Sequence, residues 1–205
     1  MRRQLIIAIV VLAIVVGAVG LPQQSKDSVV LDDYEVATFV GGCFWCMEAA
    51  FDSVEGVAES ISGYSGGTEV NPTYEQVSRG QTGHLEAVQV YFDPEVVSYE
   101  ALLDVFWRNI DPTDDGGQFV DRGIQYGTAV FYHDDAQRVL AEASKTELEA
   151  SGRFDEPIVT RVLGLTAFYE AEEYHQDYYK KRVLNYELYS RASGREEFIE
   201  EHWDE

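Results

Sequence analysis

The stretch "TFVGGCFWCMEAAF", Thr38 to Phe51, holds both cysteines of the 205-residue chain, Cys43 and Cys46. The run "YEVATFV" (34–40) leading into it reads as a strand, and Gly41-Gly42 breaks that strand. Beyond the break, Phe44, Met47, Ala50, Phe51 and Val54 recur at helical spacing, so "CFWCMEAAFDSV" (43–54) reads as a helix. Both thiols then lie on a strand–turn–helix, Cys43 at the helix N-terminus and Cys46 one turn on along the same face. Unpaired backbone N–H groups and the positive end of the helix dipole favour a thiolate at Cys43. The two glycines let the backbone approach a substrate without side chains in the way. Such a pair can cycle between dithiol and disulfide, with Cys43 as nucleophile and Cys46 as resolving thiol. As a structural staple it would achieve little, because closing so short a loop hardly restricts the unfolded chain. Phe44 and Trp45 either form an aromatic recess fit for a methyl or thioether group, or are ordinary core residues.

Metal chemistry is not expected. Two cysteines cannot supply a four-thiolate zinc site, and His84, His133, His175 and His202 lack paired ligand spacing. The formal net charge of −22, from 37 acidic against 15 basic residues, repels phosphates and anionic lipid surfaces, which excludes nucleic acid as a partner. At the N-terminus, "MRRQLIIAIVVLAIVVGAVGLPQQ" places Arg2 and Arg3 before an apolar run to Leu21. Residues 1–21 are expected to be a signal peptide or an N-terminal membrane anchor, and either exports the rest of the chain to the periplasm or another extracytoplasmic space. Residues 22–33 form an acidic linker. Membrane contact is expected only through that N-terminal segment.

Outward from the cysteines, "GYSGGTEVNPTYEQVSRGQTGH" (63–84) is predicted to be a long glycine-rich loop, and "LEAVQVYF" (85–92) a strand. Ser98 is placed to cap a helix over "YEALLDVFWRNI" (99–110). A second long loop, "DPTDDGGQFVDRGIQY" (111–126), leads into the strand "GTAVFYH" (127–133). Loops this long inside a domain are usually functional or disordered, and the embedded aromatics Tyr64, Phe119 and Tyr126 favour function. Asp134 or Asp135 caps a helix to about Ser151, and Gly152 ends it. "PIVTRVL" (157–163) is predicted as a strand, "YEAEEYHQDYYKKR" (169–182) as a helix and "SGREEFIEEHW" (193–203) as a short closing helix. The whole is expected to be one α+β domain over residues 34–205, a two-layer sandwich and a monomer.

The segments "GGCFWC", "SGYSGG", "TGHLEAVQV", "DRGIQYGTAVFY" and "AEEYHQDYY", in this order, resemble the A-type peptide methionine sulfoxide reductases. The resemblance covers roughly Glu35 to Trp203. It implies a two-layer fold with a plait-like, ferredoxin-like core. It also implies reduction of methionine-S-sulfoxide, free or in proteins, without metal or organic cofactor, with electrons from a thioredoxin-like dithiol protein. By motif, Cys43 matches the catalytic cysteine, and Phe44 and Trp45 the residues around the substrate's S-methyl group. Glu86 matches the acid, and Tyr64 and Tyr126 the hydroxyls that hold the sulfoxide oxygen. Asp121 and His175 match residues lining the site and meeting the substrate main chain.

The residues agree with this. Sulfoxide sulfur becomes attackable only once its oxygen is protonated or strongly hydrogen-bonded. A carboxyl in an apolar pocket can carry that proton near neutrality. If Leu85, Ala87 and Gln89 share one face of their strand, Glu86 shares the buried one with Val88 and Val90. Two departures stand out. Many members place a resolving cysteine near the C-terminus, whereas here no cysteine follows Cys46, and Arg122 and Ile124 replace a common histidine and threonine. Two rival readings are a general thiol–disulfide oxidoreductase using the CxxC pair, and an exported module that binds methionine-rich partners.

Overall fold

Strand β1 (Glu35–Gly41) owes its central place to residues that are apolar on both faces: Ala37 and Phe39 point to one side, Val40 to the other. In this computed structural model, residues 31–203 are described; the apolar segment 1–21 and residues 22–30 of the acidic linker lie outside them. The chain continues through α1 (Phe44–Asp52), β2 (Val57–Ser65), α2 (Tyr74–Ser78), β3 (Leu85–Phe92) and α3 (Tyr99–Arg108). Then come β4 (Gly117–Gln118), β5 (Asp121–Arg122), β6 (Thr128–Tyr132), α4 (Asp135–Ser151), β7 (Arg161–Gly164) and β8 (Phe168–Glu170). It closes with α5 (Tyr178–Lys181), α6 (Val183–Ser193) and α7 (Arg195–Trp203). The result is a mixed α/β domain around a six-stranded sheet of order β7-β6-β1-β3-β2-β8.

Every neighbouring pair in that sheet is antiparallel except β6 and β7. One face carries the main core, where Phe39 stacks on Phe51 of α1 at 4.8 Å and on Phe106 of α3 at 5.3 Å. Offset aromatic contacts of this kind add to the area they bury. On the opposite face Leu85, Ala87, Ala129 and Phe131 form a second cluster under Leu165 and Phe168. Glu86 therefore sits in a strand with no solvated side. The expected caps are in place: the Ser98 hydroxyl accepts from the Ala101 N–H, the Asp134 carboxylate accepts from the Gln137 N–H, and Gly152 ends α4 at φ +66°.

Three expectations change. Gly63, Tyr64 and Ser65, read as loop, end β2, an inner strand paired with β3 on one side and β8 on the other. The strand was hidden because "VAESISGYS" is small and polar, and its partners rather than its own residues hold it. Gly63 is needed there, since a Cβ would lie 2.5 Å from the Tyr169 carbonyl oxygen and press on the Phe168 ring. The segment 169–182 is not one helix. Tyr169 pairs with Tyr64, and Asp177, at φ +53°, starts only the short α5. The second long loop contains the hairpin β4–β5. Among the described residues no helix is long and apolar enough to cross a membrane.

Candidate active site

The register of β2 against β3 puts Tyr64 beside Glu86, and β3 runs past the N-terminus of α1. Glu86 is buried, and one carboxylate oxygen accepts the Phe44 N–H at 3.1 Å. Burial pushes its carboxyl up to about 8; the Phe44 N–H partly offsets this, and the charges of Asp121 and Cys46 add to it. At neutral pH, Glu86 therefore holds a proton.

The thiols differ from expectation. Cys43 caps α1, but the first amide of the helix serves Glu86 rather than sulfur. Burial, then the hydrogen bond and charge of Cys46 and the charge of Glu86, push the Cys43 thiol up, and the Tyr189 hydroxyl opposes them. Cys46 is lowered to about 7, chiefly by its hydrogen bond with Cys43, against burial, and further by the charge of Arg195. The two sulfurs thus share one proton above about pH 7. For Cys43 to attack as the anion, that proton has to pass to Cys46.

Cys43 and Glu86 open on one cleft, walled by Phe44, Trp45, Tyr74 and Tyr126, with Asp121 and Tyr189 at its edge. Its cavity of about 40 Å³ admits little more than one water-sized or methyl-sized group. Trp45 is held on both sides. Its ring stacks on Tyr178 at 3.9 Å, and its indole N–H donates to Nδ1 of His175 at 3.2 Å. Burial lowers His175 to about 4, so the imidazole is neutral and its proton sits on Nε2. The half-buried Asp121 accepts a hydrogen bond from the Tyr189 hydroxyl, and burial raises its carboxyl.

Of the residues singled out in the sequence, Cys43, Phe44, Trp45, Glu86, Asp121 and Tyr126 line the cleft, and Cys46 is buried in α1 next to Cys43. His175 is adjacent but stands behind Trp45. Tyr64 is a correction: it is fully buried, and its hydroxyl donates to Glu172 at 2.7 Å rather than lining the cleft. The second cleft phenol is Tyr74, in α2. The same Glu172 accepts the Tyr74 N–H at 2.9 Å, so Tyr64 supports Tyr74 from behind. A signal for Tyr74 was present: "TYEQ" (73–76) is a capping box, with Thr73 and Gln76 bonding reciprocally. It marked a helix inside the supposed loop. Nothing in the spacing pointed to Tyr189. Arg122 turns from the cleft to pair with Asp114 at 2.9 Å, and Ile124 faces solvent, so neither departure alters the walls. Among the described residues no group of three or more His, Cys, Asp or Glu is arranged to hold a metal ion.

Comparison with known proteins gives the same picture. A family model described as peptide methionine sulfoxide reductase matches residues 35–205. The chain is 57% identical over 171 residues to the peptide methionine sulfoxide reductase MsrA of Bacillus pumilus, covering 83% of this chain and 96% of that one. Among solved structures it resembles Mxr1 of Saccharomyces cerevisiae in reduced form, with a TM-score of 0.69 and 31% identity over 74% of this chain and 87% of that one. Methionine sulfoxide reductase A of Corynebacterium diphtheriae has a TM-score of 0.66 and 30% identity, over 76% and 81%. The chain belongs to the peptide methionine sulfoxide reductase family, and is an oxidoreductase of the peptide-methionine (S)-S-oxide reductase type.

Proposed function

We propose that the protein reduces methionine-S-sulfoxide, free or in proteins, through a sulfenic acid on Cys43 and a Cys43–Cys46 disulfide. The observation that carries this reading is the convergence of one thiol and one proton-loaded carboxyl on a single aromatic cleft. The Cys43 thiolate attacks the sulfoxide sulfur while Glu86 gives its proton to the oxygen. In the resulting adduct the hydroxyl passes from the substrate sulfur to the Cys43 sulfur. The substrate sulfur–oxygen bond breaks as the new one forms, and the sulfur–sulfur bond breaks with its electron pair on the substrate, so methionine leaves as a thioether and Cys43 is a sulfenic acid. The phenols of Tyr74 and Tyr126, both kept protonated by burial, donate to the oxygen as charge moves onto it. Phe44 and Trp45 take the S-methyl group, Asp121 meets the substrate main chain, and His175 holds Trp45 in place from behind.

Cys46 then displaces hydroxide from the Cys43 sulfur, giving water and a disulfide. As in other members of the family, no prosthetic group takes part, and electrons come from a thioredoxin-like dithiol. The sheet order β6-β1-β3-β2, with α1 and α3 as crossovers, supports a plait-like core. The paired arginines and apolar run of residues 1–21 support work beyond the cytoplasmic membrane, on oxidised proteins there.

A peptide carrying methionine-S-sulfoxide and dithiothreitol test the chemistry. Cys43→Ser is expected to abolish turnover, and Cys46→Ser to keep it with dithiothreitol but lose it with thioredoxin. Unchanged thioredoxin-driven turnover in Cys46→Ser would remove Cys46 from the mechanism. A general thiol–disulfide oxidoreductase would instead be indifferent to Glu86→Gln.

A further inference from the structure

Arg195 opens α7 and is only 5% exposed, yet among the described residues its guanidinium meets no carboxylate. Nη2 donates to the Gly41 carbonyl at 2.9 Å, and Nη1 donates to the Asn109 carbonyl and lies 3.5 Å from the sulfur of Met47. The charge sits 4.8 Å over the Phe119 ring, and Nε has no partner among the described residues. Leaving a cation buried without an anion is costly, and carbonyl oxygens offset only part of that cost. Its contacts bracket the thiol turn. Gly41 lies two residues before Cys43, Met47 directly follows Cys46, and a Cβ on Gly42 would come within 3.4 Å of Nη2.

The groups whose charge or hydrogen bond acts on Cys46 are Cys43 from its own turn, Asp121 from β5, Tyr186 and Tyr189 from α6, Glu86 from β3 and Arg195 from α7. Arg195 is the one cation in that set. We propose that Arg195 is the fixed counter-charge of the resolving step, stabilising Cys46 as a thiolate while it attacks the sulfenic sulfur of Cys43. The inference rests on the reading of Cys46 as the resolving thiol. In this step the Cys46 thiol loses its proton, a sulfur–sulfur bond forms, the sulfur–oxygen bond of the sulfenic acid breaks, and hydroxide and proton depart as water. Arg195 works through Cys46 without contacting substrate, and so is a positioning residue. It gives the C-terminal segment, which carries no cysteine, a part in recycling.

The test is single-turnover oxidation of the full chain by one equivalent of a methionine-S-sulfoxide peptide, quenched in acid. Mass spectrometry follows disulfide formation, and dimedone capture follows the sulfenic acid. Arg195→Met, which keeps the stem but removes the charge, is expected to form the disulfide roughly fivefold more slowly at pH 7, as for a rise of about one pH unit from about 7 in Cys46. The two rates should converge by pH 9, where Cys46 ionises unaided, and Arg195→Lys should recover most of the loss. Equal rates at pH 7, or the same ratio at every pH, would overturn the inference, the latter by reducing Arg195 to a packing role. Cys46→Ser in the same assay separates the premises. A sulfenic acid that persists there but not in Arg195→Met defeats the role of Arg195 alone. One that vanishes at the wild-type rate in Cys46→Ser defeats the resolving role as well.

Discussion

At the scale of single residues, what decides the chemistry is which side chain takes which hydrogen bond. The Phe44 N–H is held by Glu86 and no cap bond reaches the Cys43 sulfur, so what lowers Cys46 is chiefly its hydrogen bond with Cys43. Strand parity made Glu86 legible, because a carboxylate alternating with Val88 and Val90 must share their buried face. The phenols were not legible in that way. Tyr64 and Tyr74 both follow turn-forming stretches, and only the pairing of β2 with β8 sends the Tyr64 hydroxyl to Glu172 and leaves the cleft to Tyr74. Tyr74→Phe and Tyr126→Phe are each expected to lower kcat roughly ten- to a hundredfold by removing a donor to the oxygen. Tyr64→Phe should affect thermal stability more than kcat. Steady-state kinetics beside thermal denaturation distinguish the two patterns, and equal kcat losses for Tyr64 and Tyr74 would contradict the assignment.

Among elements, those with a strong period of their own were readable: β1, β3 and β6, and the helices α1, α3 and α4. Each carries its apolar pattern in its own sequence, and the helices show their caps. β2, β8 and the short α5 depend on partners. Ser60 and Ser62 occupy an inner strand because Val90 and Val88 stand opposite them in β3, not because serine favours strands. Gly63 marks how closely β2 and β8 approach. Gly63→Ala is expected to cost about 1–3 kcal/mol in denaturant unfolding, since the Cβ meets backbone that cannot yield easily. It should also displace the Glu172 clamp and with it Tyr74. A neutral substitution would mean that β8 does not pack where the structure has it.

For the whole molecule, acidity and function pull against each other. Glu48, buried in α1, accepts the Asp177 N–H at 2.9 Å, and burial pushes its carboxyl up to about 7, opposed by that N–H and reinforced by Asp52 and Asp177. Glu86 stands at about 8. Both are raised above their unfolded values, so the fold is favoured below about pH 4.5 by neutral carboxyls and loses that advantage as pH climbs through 7 and 8. Glu48→Gln keeps the acceptor and is expected to raise Tm at pH 8 while leaving it unchanged near pH 4.5. A gain of similar size at both pH values would contradict this account of Glu48. Two acids, Glu48 and Glu86, are buried among the described residues despite that penalty, and Glu86 is the proton donor of the proposed reaction. That donor is tested most directly by the pH dependence of kcat/KM for a methionine-S-sulfoxide peptide, measured on the wild type and on Glu86→Gln. The wild type is expected to rise through about pH 7 as the thiol pair ionises and to fall through about pH 8 as Glu86 loses its proton; Glu86→Gln should be slower by roughly a hundredfold or more and lack the falling limb. A Glu86→Gln enzyme of near wild-type rate that still falls at the same pH would contradict it.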